Sequence, residues 1–100
     1  MDIFGVVSDP TRREMLERLR TRALTPSELA ATFRVSQPAI SRHLRVLHEA
    51  GLVHVTGARD DGRARVYSLR PEPLGEIEVW LSSFWQRKLD AFAAYVKEHT

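Results

Sequence analysis

The side chains of this chain best placed to do chemistry are arginines and small polar residues. They concentrate in the stretch VSQPAISRHLRVLHEAGLV, which runs from Val35 to Val53. Ile40, Leu44 and Leu47 recur there at spacings of four and three, the buried stripe of a helix. At 100° per residue the opposite face holds Pro38, Ser41, Arg42, Arg45 and Glu49. The first turn is small and uncharged, and the outer face is cationic. Such a surface does non-covalent chemistry: small side chains admit close approach, and guanidinium forks complement anionic and acceptor-rich groups. A helix of this kind suits insertion into the major groove of DNA. Catalysis is not supported. The chain has no plausible Ser-His-Asp spacing, no glycine loop to cradle phosphate and no metal tetrad, and it reads as a non-enzyme. With no cysteine, disulfides and thiolate metal sites are excluded.

The charge agrees with that reading. The net charge is only +2, but between Arg12 and Arg70 there are 12 arginines against six acids. The last 30 residues carry three bases and five acids, and the first 11 carry two acids and no base. A cationic middle between acidic ends suits one face meeting a polyanion while the ends do something else.

Other elements must position that helix. Asp9-Pro10 starts one, a carboxylate to cap followed by a proline suited to the first helical position, with Met15, Leu16 and Leu19 at helical spacing. Ile3, Phe4, Val6 and Val7 precede it as a short, mostly buried helix. Thr25-Pro26-Ser27-Glu28 is a capping box opening a short helix to about Phe33, with Leu29 and Phe33 pointing inward. Ser36 or Gln37 caps the helix described above, and Gly51 stops it. A short capped helix, a tight turn and a longer capped helix outline a helix-turn-helix.

The period then changes. Val53, Val55, Val66, Tyr67 and Leu69 are strand formers around the turn Asp60-Asp61-Gly62, which predicts a two-stranded hairpin packed on the helices. From about Leu74 to Glu98 runs one long helical pattern. Leu81, Trp85, Leu89, Phe92 and Val96 form its stripe, widened by Ile77, Trp80, Phe84 and Tyr95. No apolar run approaches the roughly 20 residues a bilayer span needs, and MDIFGVVSDP lacks the pattern of a signal peptide. A cytoplasmic protein with no membrane partner is expected.

Taken in order, SDPTRREMLERL, LTPSELAATFRVSQPAISRHLRVLHEAGLV and RDDGRARVYSL resemble the ArsR/SmtB family of bacterial transcription regulators. The resemblance covers nearly all of residues 8–69. It implies a mainly α fold with a small β-hairpin. This is a winged helix-turn-helix of about five helices plus a two-stranded wing, in one domain over residues 1–100. The helix-turn-helix falls at about 26–50, the wing at about 53–69 and the dimerisation helix at about 74–98. It also implies a homodimer that binds a short palindromic operator and usually represses.

By matching motif positions, Gln37, Ser41 and Arg42 become the residues that read bases, with Pro38 beside them. Glutamine can pair with adenine, and arginine with the two acceptors of guanine. Arg45, a turn deeper, suits phosphate. His43 lies beside the buried stripe, where a phosphate contact and a structural role are equally open. His48 and His54 need no special role. Arg59, Arg63 and Arg65 crowd the wing and can reach phosphate or a narrow minor groove. Asp60 and Asp61 are tolerable there only if they point away from the duplex. Arg12 and Arg13 could also meet the DNA backbone.

Ile3, Phe4, Leu81, Phe84, Trp85, Leu89, Phe92 and Val96 are expected at the dimer interface. An apolar small-molecule pocket at that interface is the sharper alternative. The family's metal sensing is not expected, because the terminal helix offers carboxylates with a lone His99. No cofactor is implied. The rival to DNA binding is a winged helix that serves only protein interaction, and the placement of arginines separates the two.

Overall fold

Three side chains start three helices. In the computed structural model, which describes residues 2–57 and 65–99, the Asp9 carboxylate accepts from the backbone N–H groups of Thr11 (2.8 Å) and Arg12 (3.1 Å). It opens α2, Pro10–Thr21, and closes α1, Ile3–Ser8. Thr25 Oγ1 accepts from Glu28 N–H while the Glu28 carboxylate accepts from Thr25 N–H, a reciprocal capping box that opens α3, Pro26–Phe33. Ser36 Oγ accepts from Ala39 N–H and opens α4, Gln37–Glu49. Each cap satisfies donors that a helix start otherwise leaves unpaired.

The stops are equally local. Arg34 ends α3 with φ of 55°, the one positive φ at a non-glycine residue among those described. A left-handed residue there turns the chain tightly enough for α4 to begin at Gln37. Gly51 ends α4 with φ of 76°, where a side chain would be strained.

The strands β1, Val53–Thr56, and β2, Val66–Leu69, pair antiparallel with Val53 opposite Leu69 and Thr56 opposite Val66. Their outer turn, including Asp60, Asp61 and Gly62, lies outside the described residues. The hairpin packs on the helices as expected from sequence, through Val53, Tyr67 and Leu69, and it gains a further partner. Leu24, between α2 and α3, exchanges both backbone hydrogen bonds with Tyr67, at 3.0 and 2.8 Å, so β2 is paired on both sides. A lone bridging residue ties the wing to the helix-turn-helix.

A 3-10 turn, Glu72–Leu74, leads into α5, Gly75–Glu98. The core is formed by Ile3 and Val6, by Met15, Leu16 and Leu19, by Leu24, Leu29 and Ala30, and by Ile40, Leu44, Leu47, Leu52 and Val53. Beyond Ile77 every described residue of α5 is exposed. The molecule therefore measures 69 × 24 × 24 Å with a radius of gyration of 18.9 Å. A compact chain of this length would have a radius near 13 Å. The five helices and the hairpin make the winged helix-turn-helix expected from sequence.

Candidate nucleic-acid interface

The inner stripe of α4 is fixed first. Ile40, Leu44 and Leu47 are at most 1% exposed and lock the rotation of the helix. That rotation turns Gln37, Pro38, Ser41, Arg42 and Arg45 to solvent. Five of the six sequence candidates on the helix are therefore presented on its outer side, and the sixth, His43, is half-buried.

Beside them lies a cleft of about 430 Å³ lined by Thr25, Pro26, Ser27, Gln37, Ser41, Arg65 and Tyr67. A second, of about 320 Å³, is lined by Ser41, Leu44, Arg45, His48, Val55, Arg65 and Tyr67. They share Ser41, Arg65 and Tyr67, so one polar channel runs between α4 and β2. The wing's Arg65 thus lines the same channel as Gln37, Ser41 and Arg45. Arg59 and Arg63 lie outside the described residues.

Two residues of this surface were not singled out from sequence. The Gln37 side-chain amide donates from Nε2 to Ser27 Oγ at 2.7 Å, across the two helices of the helix-turn-helix. Tyr67 lines both clefts, held by its backbone pairing to Leu24. Tyr67 reads in sequence as a strand former only, and Ser27 as part of a cap. Their roles depend on partners distant in the chain.

Arg12 and Arg13 serve the fold. Arg12 donates through Nε to the Val6 carbonyl (2.7 Å) and through a second nitrogen to that of Gly5 (3.3 Å), and lies 3.9 Å from the Asp9 carboxylate. Arg13 donates to the carbonyls of Val7 (2.8 Å) and Ser8 (3.2 Å). Together they satisfy the carbonyl end of α1, where cations are favoured. Arg12 also reaches His43 Nδ1 at 3.5 Å. His43 is half-buried, joining α4 to the start of α2. The Asp9 carboxyl is held below its ordinary pKa. The hydrogen bond from Arg12 N–H is the largest cause, opposed by desolvation and assisted by the Arg12 charge, the Thr11 N–H and the His43 ring.

The apolar candidates separate. Ile3 is 4% exposed and belongs to the chain's own core, so α1 presents Phe4 instead. Phe4 meets Trp80 edge-on with ring centroids 5.2 Å apart, and Trp80 meets Phe84 in the same way at 5.0 Å. Leu81, Phe84, Trp85, Leu89, Phe92 and Val96 are all exposed on α5, Phe92 by 65%. Trp80 and Tyr95 are exposed with them. An open groove lined by Leu74, Ile77, Leu81 and Trp85 runs along this helix. Among the described residues no cluster of three or more His, Cys, Asp or Glu side chains could hold a metal ion. Among the described residues no helix is long and apolar enough to cross a membrane.

A helix-turn-helix with a polar, cationic outer face, flanked by a hairpin that adds its own arginine, defines a winged helix-turn-helix DNA-binding protein. Comparison with known proteins narrows the class. Residues 9–55 match the family model described as bacterial regulatory protein, arsR family. The chain is 41% identical over 93 residues to the HTH-type transcriptional regulator Rv2034 of Mycobacterium tuberculosis, covering 93% of this chain and 84% of that one. It is 34% identical over 83 residues to the transcriptional repressor SdpR of Bacillus subtilis, covering 83% of this chain and 89% of that one. The crystal structure of an ArsR family transcriptional regulator, 34% identical, superposes with a TM-score of 0.73 and covers 87% of this chain and 84% of that one. The chain belongs to the ArsR family of bacterial transcriptional regulators. It is a DNA-binding regulator of transcription, as its sequence leads one to expect.

Proposed function

We propose that the chain acts in the cytoplasm as a homodimeric repressor that covers a promoter by binding a palindromic operator, without catalytic activity. The observation that carries this is the outer face of α4, held outward by a fully buried inner stripe. In this reading Gln37 pairs with adenine, Arg42 with guanine, and Ser41 with base or phosphate. Pro38 allows close approach, while Arg45 and Arg65 take phosphate. His43 meets the backbone of the duplex. Arg59 and Arg63 join the wing on sequence position alone.

The exposed aromatic face of α5, with Phe4, supports pairing of two copies, because so large an apolar surface is rarely left to water. Two copies would set their α4 helices about one DNA turn apart, roughly 34 Å. The α5 groove favours a second reading in which an apolar effector acts beside the dimer seam.

The test is a gel shift at low salt with duplexes from upstream of the chain's own gene. A discrete complex is expected. Failure to shift any promoter fragment would favour the protein-interaction alternative. Arg42→Ala should cost about 1–3 kcal/mol of binding and relax base choice at one position in each half-site. A uniform loss over all sequences would assign Arg42 to phosphate.

A further inference from the structure

We infer that Ser27, on the first helix of the helix-turn-helix, is a specificity-determining residue: its hydroxyl holds the Gln37 amide in the orientation that reads a base. The inference rests on the base-reading role proposed above for Gln37. Its observation is the 2.7 Å hydrogen bond from Gln37 Nε2 to Ser27 Oγ. Both residues are exposed, and both line the cleft that also holds Ser41 and Arg65.

The chemistry follows from the donor count. A glutamine amide offers two N–H donors and one carbonyl oxygen. Ser27 takes one N–H. What remains is one N–H and Oε1, the donor–acceptor pair that adenine engages through N7 and N6. The serine hydroxyl thus restrains the amide while a donor and the acceptor stay available for a base.

A glutamine free in water populates many rotamers and loses that freedom when it docks on a base. A tether made beforehand reduces the loss, and does so only when the docked rotamer is the tethered one. In the free protein water competes with this exposed bond, so it adds little to folding. Inside a groove that excludes water it sets which base fits. Ser27 is not the cap of α3, a role held by Thr25, so removing its hydroxyl leaves the helix start intact.

The experiment uses the full chain and a DNA site selected by the wild-type protein from a random duplex library. Affinities are measured for that site and its single-base variants with wild type, Ser27→Ala, Ser27→Thr and Gln37→Ala. Ser27→Ala should lower discrimination about two- to tenfold at the base pair in each half-site where Gln37→Ala acts. Other positions and the salt dependence should be unchanged, and Ser27→Thr should restore selectivity. The inference is overturned if Ser27→Ala weakens every site equally, which would make the hydroxyl a phosphate contact. It is also overturned if Ser27→Ala leaves discrimination intact while Gln37→Ala abolishes it. If Gln37→Ala changes no base preference, the role of Gln37 fails and this inference falls with it.

Discussion

Asp9 joins two helices and carries an electrostatic signature that can be measured. Its carboxylate caps α2, and Arg12, whose backbone N–H it accepts, ties back to α1 and to His43 on α4. Because its folded pKa lies below the ordinary value of 3.8, ionisation favours the folded state. That contribution is complete well above the unfolded pKa and is lost as pH falls through the folded one. Asp9→Ala should therefore destabilise by about 0.5–2 kcal/mol at neutral pH. The gap from wild type should narrow toward about pH 3. Asp9→Asn, which can still cap, should flatten the pH dependence while retaining most of the stability. Urea unfolding across that range checks both, and a gap independent of pH would show that the carboxylate's charge is not what matters. Caps of this kind are legible in sequence, since donor and acceptor are two or three residues apart. The Ser27–Gln37 bond and the double-sided pairing of Tyr67 are not. They need helices and strands already placed, and nothing in the local pattern announces them.

At the scale of elements, α5 shows how far periodicity reaches. Its apolar spacing reads as a helix with one wide face, and a helix it is. The pattern reports that a face seeks cover and does not say what covers it. Ile3 shows the converse: at the head of the chain its apolar character fits an interface as well as a core, and packing against α2 places it in the core. Leu24 is a single apolar residue between two helices, too short a segment to show a strand period, so its bridge to β2 was not foreseeable. The paired variant Leu89→Glu with Phe92→Glu tests the proposed role of α5. These side chains are 61% and 65% exposed and lie one turn apart. The protomer should keep its helical circular dichroism while sedimentation shows a monomer. Affinity for a two-half-site operator should fall about 10²–10⁴-fold as the second half-site loses its tether. A dimer that persists, or an operator affinity that stays the same, would remove α5 from the interface.

The whole molecule is elongated because α5 extends past the body that holds the reading head. If two copies pair through it, stability becomes a function of concentration. A hundredfold dilution should lower the melting temperature by roughly 6 °C, taking about 1.4 kcal/mol per tenfold and average unfolding entropies. Calorimetry at two concentrations measures this, and a melting temperature independent of dilution would mean that association adds nothing to the fold. The exposure of α5 beyond Ile77 has one more consequence. The outer length of that rod is absent from the interior that holds α4 in place. It is a detachable handle: exchanging it for a tail with a different mate would leave the sequence-reading head untouched. Two such chimaeras, each refusing its own kind, would form mixed pairs addressed to asymmetric sites.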